Sequence, residues 1–363
     1  MGQAALVVLS ASTVRCPSCN DALVPARLKR HQALCCPELL DPDGWANSDQ
    51  AVVLETIARL HPQRGAPERR FLELRFKGRG MSTAGAAAHL GWKDERARAL
   101  IASALRAVPP VAEDAPVDTL YEDDELIVVD KPPHVPVTPR HRFRGSSMTN
   151  RVLSLCDTAT ACHRLDEETS GALLFAKTKA AARSLMHDFE HGRVCKVYVF
   201  LSSEEAAWDE IAVDDHLCVA PDAAGRARAQ LCRADDVGAR HATTRMRLLA
   251  SSSGASVVLA APITGRTHQV RLHATSAGLA VLGDAMYGDE TQLIGRHALH
   301  AAAISFQHPV GGATIRVHAP LPADMRAVAE ALGLCGDASL LEADARASAS
   351  CLLEELRSLK RSD

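Results

Sequence analysis

Apolar residues along this chain follow two different periods, and the change falls near residue 110. Before it, Val52, Val53, Ile57 and Leu60 recur at helical spacing and share one face. The run from Pro67 to Phe76 continues the helical pattern. A further helix is expected from Lys93 to Val108, where Pro109-Pro110 stops it. The stretch from Pro109 to Pro116 is rich in proline, alanine and acids and reads as a linker. Beyond it the apolar positions come in short unbroken runs: Leu126 to Val129, Leu173 to Ala176, Val194 to Leu201, Val257 to Ala261 and Ala301 to Phe306. Runs of this length suit buried strands. Helices are expected between them at Lys179 to Glu190 and His268 to Ala277, with another after Pro322. The Ala-, Leu- and Glu-rich end, Asp337 to Asp363, reads as a helical tail. The spacing is irregular and no glycine-rich phosphate loop is found, which disfavours a doubly wound nucleotide fold.

This pattern divides the 363 residues into a small N-terminal module at 1–40, a helical domain at 41–110 and a linker at 111–117. A catalytic-sized domain follows at 118–335, then the tail at 336–363. Hydrophobic residues make up 47% of the chain, enough for a true core. No apolar stretch is long enough to span a membrane. Ala4 to Leu9 lacks the basic lead of a signal peptide. Eleven cysteines, an odd number, point to a reducing, intracellular setting. The net charge of −3 does not by itself suggest a polyanion as partner. Its distribution does: Arg140, Arg142, Arg144 and Arg151 cluster without an intervening acid, while Glu122-Asp123-Asp124-Glu125 is set apart. Such a rim can hold phosphates on a neutral body.

Two segments carry candidate chemistry. His163-Arg164-Leu165-Asp166-Glu167-Glu168-Thr169-Ser170-Gly171 delivers a charged group to a turn at the mouth of a strand. Gly265-Arg266-Thr267-His268-Gln269-Val270-Arg271-Leu272-His273 opens a helix with two arginines and two histidines at its start, and Gly283-Asp284 lies in the turn region beyond Gly278. Together with Leu120 to Pro133 and Lys196-Val197-Tyr198, these segments resemble, in the same order, the signature motifs of the RluA-type RNA pseudouridine synthases. The resemblance covers roughly 118–320. It implies an α+β catalytic domain, with a curved, mainly antiparallel mixed sheet flanked by helices, that isomerises uridine in structured RNA without a cofactor.

By that resemblance Asp166 is the catalytic aspartate, Arg271 its ion-pair partner and Tyr198 the active-site tyrosine that stacks on uracil and steers a proton. Arg164 would fill the space left by an extruded base, and Arg266, His268 and Gln269 would contact phosphate or base. An arginine suits Asp166 because its fork can give a carboxylate two parallel hydrogen bonds. For Gln269 a hydrogen bond at the helix start is an equal reading. For His163 a local hydrogen bond holding the turn is preferred. The alternative function is a non-catalytic RNA-binding or adaptor protein that kept the fold; retention of Asp166, Tyr198 and Arg271 together argues against it.

At the N-terminus, Cys16, Cys19, His31 and Cys35 have the spacing C-x2-C-x11-H-x3-C. A knuckle and a short helix can then supply two tetrahedral ligands each to a structural Zn2+; Cys36 is the other candidate for the fourth position. The spacing is similar to that of ubiquitin-binding fingers, but the ligands define the metal and leave open ubiquitin, another protein or RNA. The helical domain weakly resembles a sigma-factor helix-turn-helix with Gly91 at the turn, and a plain helical bundle fits the pattern equally. RNA is the expected partner, with no membrane, and the chain is expected to be a monomer.

Overall fold

The computed structural model describes residues 8–10, 13–15, 22–23, 47–76, 81, 83–107, 112–139, 146–156, 158–221, 227–252, 254–288, 291–335 and 338–362. Cys16, Cys19, His31 and Cys35, expected to hold zinc, lie outside the described residues, as do Arg140, Arg142 and Arg144. The chain divides into two compact units, Met1–Val111 with His141–Gly145, and Ala112–Arg140 with Ser146–Asp363.

In the first unit, strands β1 (Val8–Ser10), β2 (Thr13–Arg15) and β3 (Ala22–Leu23) pair antiparallel in chain order. Four helices follow: α1 (Asn47–Leu60), α2 (Pro67–Phe76), α3 (Thr83–His89) and α4 (Asp94–Ala107). Their apolar stripes meet in a small core of Ile57, Phe71, Leu72, Ala86, Ala87, Ala97, Ile101 and Ala104. The Trp92 ring, in the turn before α4, stacks on Phe71 with centroids 5.1 Å apart. Two of the basic residues on α4 are engaged within the unit. Arg96 pairs with Glu68 at 2.6 Å and lies over Trp92, and Arg98 pairs with Asp94.

The second unit is built on an eleven-stranded sheet. Its strands are β4 (Asp118–Glu122), β5 (Leu126–Lys131), β6 (Thr160–Ala161), β7 (Ser170–Ala176), β8 (Cys195–Ser202), β9 (Glu210–Pro221), β10 (Ala227–Cys232), β11 (Arg240–Ser252), β12 (Ala255–Pro262), β13 (Leu299–Gln307) and β14 (Thr314–His318). The main path runs β10-β9-β11-β12-β8-β13-β7-β5-β4, with β14 on β13 and β6 on β7. Every described pairing is antiparallel except β7 with β13, so the sheet is mixed and mainly antiparallel. Side chains on a strand alternate between faces, and both faces of the central strands are covered. Val197, Val199 and Leu201 of β8 join Val257 and Leu259 of β12 on one face. Tyr198 and Phe200 join Val258 and Ala260 on the other.

Helices complete the layers: α5 (Met148–Val152), α6 (Lys179–Glu190), α7 (Gln269–Ser276), α8 (Ala323–Ala331) and α9 (Ala338–Ser362). The C-terminal stretch is an integral layer. Leu341, Ala345, Ala349, Leu352, Leu353 and Leu356 repeat at three- and four-residue spacing along α9 and are buried in the same core as Val197 and Leu259. Loss of that helix would uncover β8, β11, β12 and β13 on that face.

Candidate active site

The site forms on the Tyr198 face of the sheet, where two loops converge. Asp166 lies between β6 and β7, in a turn closed by Thr169 N–H donating to the Asp166 carbonyl at 3.1 Å. The turn enters β7 through Gly171, whose φ of +109° favours glycine. A Cβ there would stand 2.3 Å from the carbonyl oxygen of Ala301 on the parallel neighbour β13. The close pairing of β7 and β13 therefore requires glycine, and it fixes where the loop ends.

Arg271 comes from the first turn of α7. Its Nη1 donates to Asp166 Oδ2 at 3.1 Å. The two-pronged grip expected on Asp166 is made instead on Asp284: Nε and Nη2 donate to the two carboxylate oxygens at 2.6 Å each. Asp284 is 1% exposed and Arg271 7%. Burial pushes the Asp284 carboxyl upward, but the Arg271 fork outweighs it and holds the group below the usual range. Arg271 is thus neutralised and oriented by Asp284, and it presents Nη1 to Asp166. The turn carrying Asp284 needs Gly283 (φ +73°), since a Cβ there would meet the Arg296 carbonyl at 2.3 Å.

Two further buried cations fasten the Asp166 loop through its main chain. Lys131, at the end of β5 and fully buried, donates from Nζ to the carbonyls of Pro132, Val135 and Glu167, each at 2.8 Å. Burial pushes its pKa down to about 7; three carbonyls matched to three N–H groups act in the opposite sense. Arg296 forks onto Asp324 at 2.7 and 3.0 Å and directs Nη1 to the carbonyl of Glu168 at 3.2 Å. The carbonyls of the two residues after Asp166 are each held by a buried cation.

A cavity of about 720 Å3 opens over Asp166, with Arg164, Tyr198, Lys196, Arg266, His268 and Arg271 in its lining. Tyr198 is nearly buried. Burial first, and the Asp166 charge second, push its hydroxyl well above the ordinary range, so it keeps its proton. Arg164 is exposed at the cavity. Arg266 lines it too and donates from Nε to the His241 carbonyl at 3.0 Å. Gln269 is at the cavity wall, but its amide is saturated by protein. Oε1 accepts from Arg266 N–H and Thr264 Oγ1–H, while Nε2 donates to the Thr243 carbonyl and Thr244 Oγ1. It serves as a fastener of the helix start, one of the two readings open from sequence. His163 accepts from Leu174 N–H at Nε2, 3.1 Å away, and stacks on Phe189, so it binds strand β7 and helix α6 rather than the turn itself.

Sequence reasoning thus brought Asp166, Tyr198, Arg271, Arg164, Arg266 and His268 to one cavity. It assigned no role to Asp284, Lys131, Arg296 or Tyr287. Asp284 stood next to Gly283 in a quoted motif, so its signal was present. Arg296 lies in a stretch without periodicity. Among the described residues, no cluster of His, Cys, Asp and Glu is arranged to hold a metal ion, and no helix is long and apolar enough to cross a membrane.

An aspartate held by a buried arginine, in a cavity also lined by Arg164, Lys196 and Arg266, suits an anionic ligand. Comparison with known proteins narrows the class. Residues 125–276 match the RNA pseudouridylate synthase family. An uncharacterized RNA pseudouridine synthase of Bacillus subtilis, YjbO, is 33% identical over 221 residues, covering 59% of this chain and 76% of its own length. Ribosomal large subunit pseudouridine synthase C of Pasteurella multocida is 33% identical over 263 residues, covering 64% of this chain and 78% of its own. Among solved structures, human RNA pseudouridylate synthase domain containing 4 shares the fold, with a TM-score of 0.50 at 23% identity over 61% of this chain and 94% of that one. The chain belongs to the RNA pseudouridine synthase family, with RluA-like relatives, and is an enzyme that isomerises uridine to pseudouridine in RNA.

Proposed function

We propose that Asp166 carries the chemistry on a uridine extruded into the cavity. What supports this most is the single hydrogen bond from the otherwise neutralised Arg271 to Asp166 Oδ2 at 3.1 Å, at the floor of the cavity. Arg271 keeps the carboxylate oriented toward the space bounded by Tyr198. The Tyr198 ring stacks on the uracil, and its protonated hydroxyl gives a proton or a hydrogen bond. Arg164 fills the gap left in the RNA by the flipped base, offsetting an extrusion cost of a few kcal/mol. Arg266 and His268 contact the nucleotide. The substrate is a structured RNA. Several relatives are named for the large ribosomal subunit and one for transfer RNA, which makes ribosomal RNA the first substrate to try, ahead of transfer and messenger RNA.

Tritium release from RNA labelled at uracil C5 tests the reading. Wild type should release label and Asp166→Ala should not, with RNA retention on filters unchanged. Equal release by both proteins would remove Asp166 from the mechanism.

The N-terminal residues add modules to this activity. Cys16, Cys19, His31 and Cys35 hold a structural zinc in 1–40, a reading supported by their spacing alone. The helices of 41–110 form a docking module for nucleic acid or protein, ahead of the linker at 111–117, the catalytic domain at 118–335 and the tail at 336–363. Metal analysis of the full chain, wild type against Cys16→Ser, should show zinc lost in the variant.

A further inference from the structure

The hydrogen bonds around His268 fix which of its ring nitrogens carries the proton. Tyr287 Oη lies 2.8 Å from the carbonyl oxygen of Ala229 and 2.8 Å from His268 Nδ1. A carbonyl can only accept, so the tyrosine's single proton points at Ala229 and its oxygen must accept from the imidazole. Nδ1 is therefore the protonated nitrogen, and Nε2 of the neutral ring presents a bare lone pair. That lone pair faces Asp166 Oδ1 at 3.6 Å, too long for a hydrogen bond, and two acceptors have nothing to share. A donor placed between them would satisfy both.

The backbone is arranged for this. His268 takes φ +55°, ψ +21°, left-handed values unfavourable for a residue with a Cβ, immediately before α7. Its side chain lines the cavity but is only 19% exposed. Of the other groups on this cavity, Tyr198 keeps its proton, and His163 gives its lone pair to Leu174 N–H. His191, at the end of α6, is exposed and has Nδ1 on the His187 carbonyl.

Resting on the synthase chemistry set out above, we infer that His268 Nε2 accepts the proton lost from uracil C5, and that Tyr287 is the positioning residue that keeps this nitrogen bare. Once the C1′–C5 bond has formed, C5 is tetrahedral and still bears its hydrogen. Nε2 takes that hydrogen as a proton. The C–H electron pair becomes the C5–C6 double bond, the C6–N1 pair moves to N1, and N1 takes a proton from solvent. The imidazolium so formed is stabilised by Asp166 and passes its proton to solvent, and the ring returns to its starting state. Asp166 is left free for the sugar side of the reaction.

The groups facing His268 are Asp166 from the β6–β7 loop, Arg271 from α7, Asp284 and Tyr287 from the turn after it, and Arg164 at the rim. Burial, the largest influence, lowers the histidine below its ordinary value, and the Asp166 charge opposes it. The imidazole is thus neutral and competent at neutral pH, and kcat should fall on the acid side as the ring takes up a proton.

The experiment uses the full chain and RNA carrying either hydrogen or deuterium at uracil C5. His268→Gln should lower kcat by about 100-fold, a much larger change than that in KM for RNA. The acid limb of the kcat profile should vanish, and a C5 deuterium isotope effect larger than that of wild type should emerge. Tyr287→Phe keeps the ring over Arg271 but frees the tautomer, and should show a smaller loss with the same isotope signature. Should the glutamine variant lose its cooperative melt, Tyr287→Phe alone decides. A kcat within about threefold of wild type, or a loss confined to KM with no change in isotope effect, overturns the role of His268. Failure of wild type itself to release C5 label would instead overturn the reading of the Asp166 site.

Discussion

The arginines on α4 of the helical unit and those around Asp166 in the catalytic unit hold charge in opposite ways. On α4, Arg96 and Arg98 are 57% and 45% exposed and pair with Glu68 and Asp94, whereas Arg75 of α2 is buried. In the catalytic unit Arg271 and Arg296 are 7% and 1% exposed, and each forks onto an aspartate while keeping one nitrogen for the Asp166 loop. A surface pair contributes little to stability because water already solvates both ends. A buried fork contributes little net stability either, because desolvation offsets the attraction, yet breaking it is expensive. The difference shows what buried charge does here. It fixes position: Arg271 sets the Asp166 carboxylate, and Arg296 with Lys131 sets the backbone that carries it.

If that is right, the damage from breaking a fork should follow the burial of the group left behind. Asp284→Ala should be the worst case, because it leaves the largely buried Arg271 cation with only its single bond to Asp166. A loss of about 3–5 kcal/mol in urea unfolding is expected, together with loss of activity. Asp284→Asn, which keeps an acceptor, should fall between. Arg296→Met should cost less, about 2–3 kcal/mol, since its orphan, Asp324, is 40% exposed and can be hydrated. The variant also frees the Glu168 carbonyl, so kcat should drop about tenfold from misplacement of Asp166. A larger loss for Arg296→Met than for Asp284→Ala would break the rule that the stranded group sets the damage.

Buried histidines sharpen the same contrast through pH. His163, His297 and His300 are held neutral by burial, with pKa values pushed down to about 3, 4 and 4. Their unfolded values lie near 6.5. The unfolded chain therefore binds more protons between those limits, and the stability these groups confer is lost as pH falls from about 6.5 toward 4. The catalytic unit should lose melting temperature steadily over that window. His300→Leu, which removes the group bridging Ser170 and Ala319, should flatten part of the slope.

How much of this was legible beforehand depends on the kind of signal. The buried strands β5, β7, β8, β12 and β13 appear as apolar runs because both of their faces are covered. Strands β9, β10 and β11 were missed. In β11 the burial alternates from Ala242 to Met246, with Thr243 and Arg245 facing outward, and a search for unbroken runs passes over a strand with one wet face. Tyr198 and Asp166 were legible as motif residues. The fork onto Asp284 was not, because pairing two carboxylates with one arginine is decided by three-dimensional geometry: the i,i+3 and i,i+4 logic of a helix says nothing about a partner across a turn. Gln269 shows the converse, a polar residue in a catalytic motif whose amide is saturated by Thr243, Thr244, Thr264 and Arg266.

The smallest effect belongs to the other side of the comparison. Arg96 pairs with Glu68 and lies 4.0 Å over the Trp92 ring, so in the kinds of partner it has it resembles Arg271, which pairs with Asp284 and lies over Tyr287. Its exposure separates the two. Removing Arg96 leaves Glu68 in water and Trp92 still stacked on Phe71, so no charge is stranded and the core of Ile57, Phe71 and Leu72 is untouched. Arg96→Ala should therefore move the melting midpoint by no more than about 2 °C and leave tritium release from labelled RNA unchanged if the helical unit only packs. A clear fall in RNA affinity without a fall in kcat would instead show that this face, with Lys93 and Arg98, engages the substrate outside the catalytic cavity, and such a loss should deepen at low salt, where phosphate contacts count most.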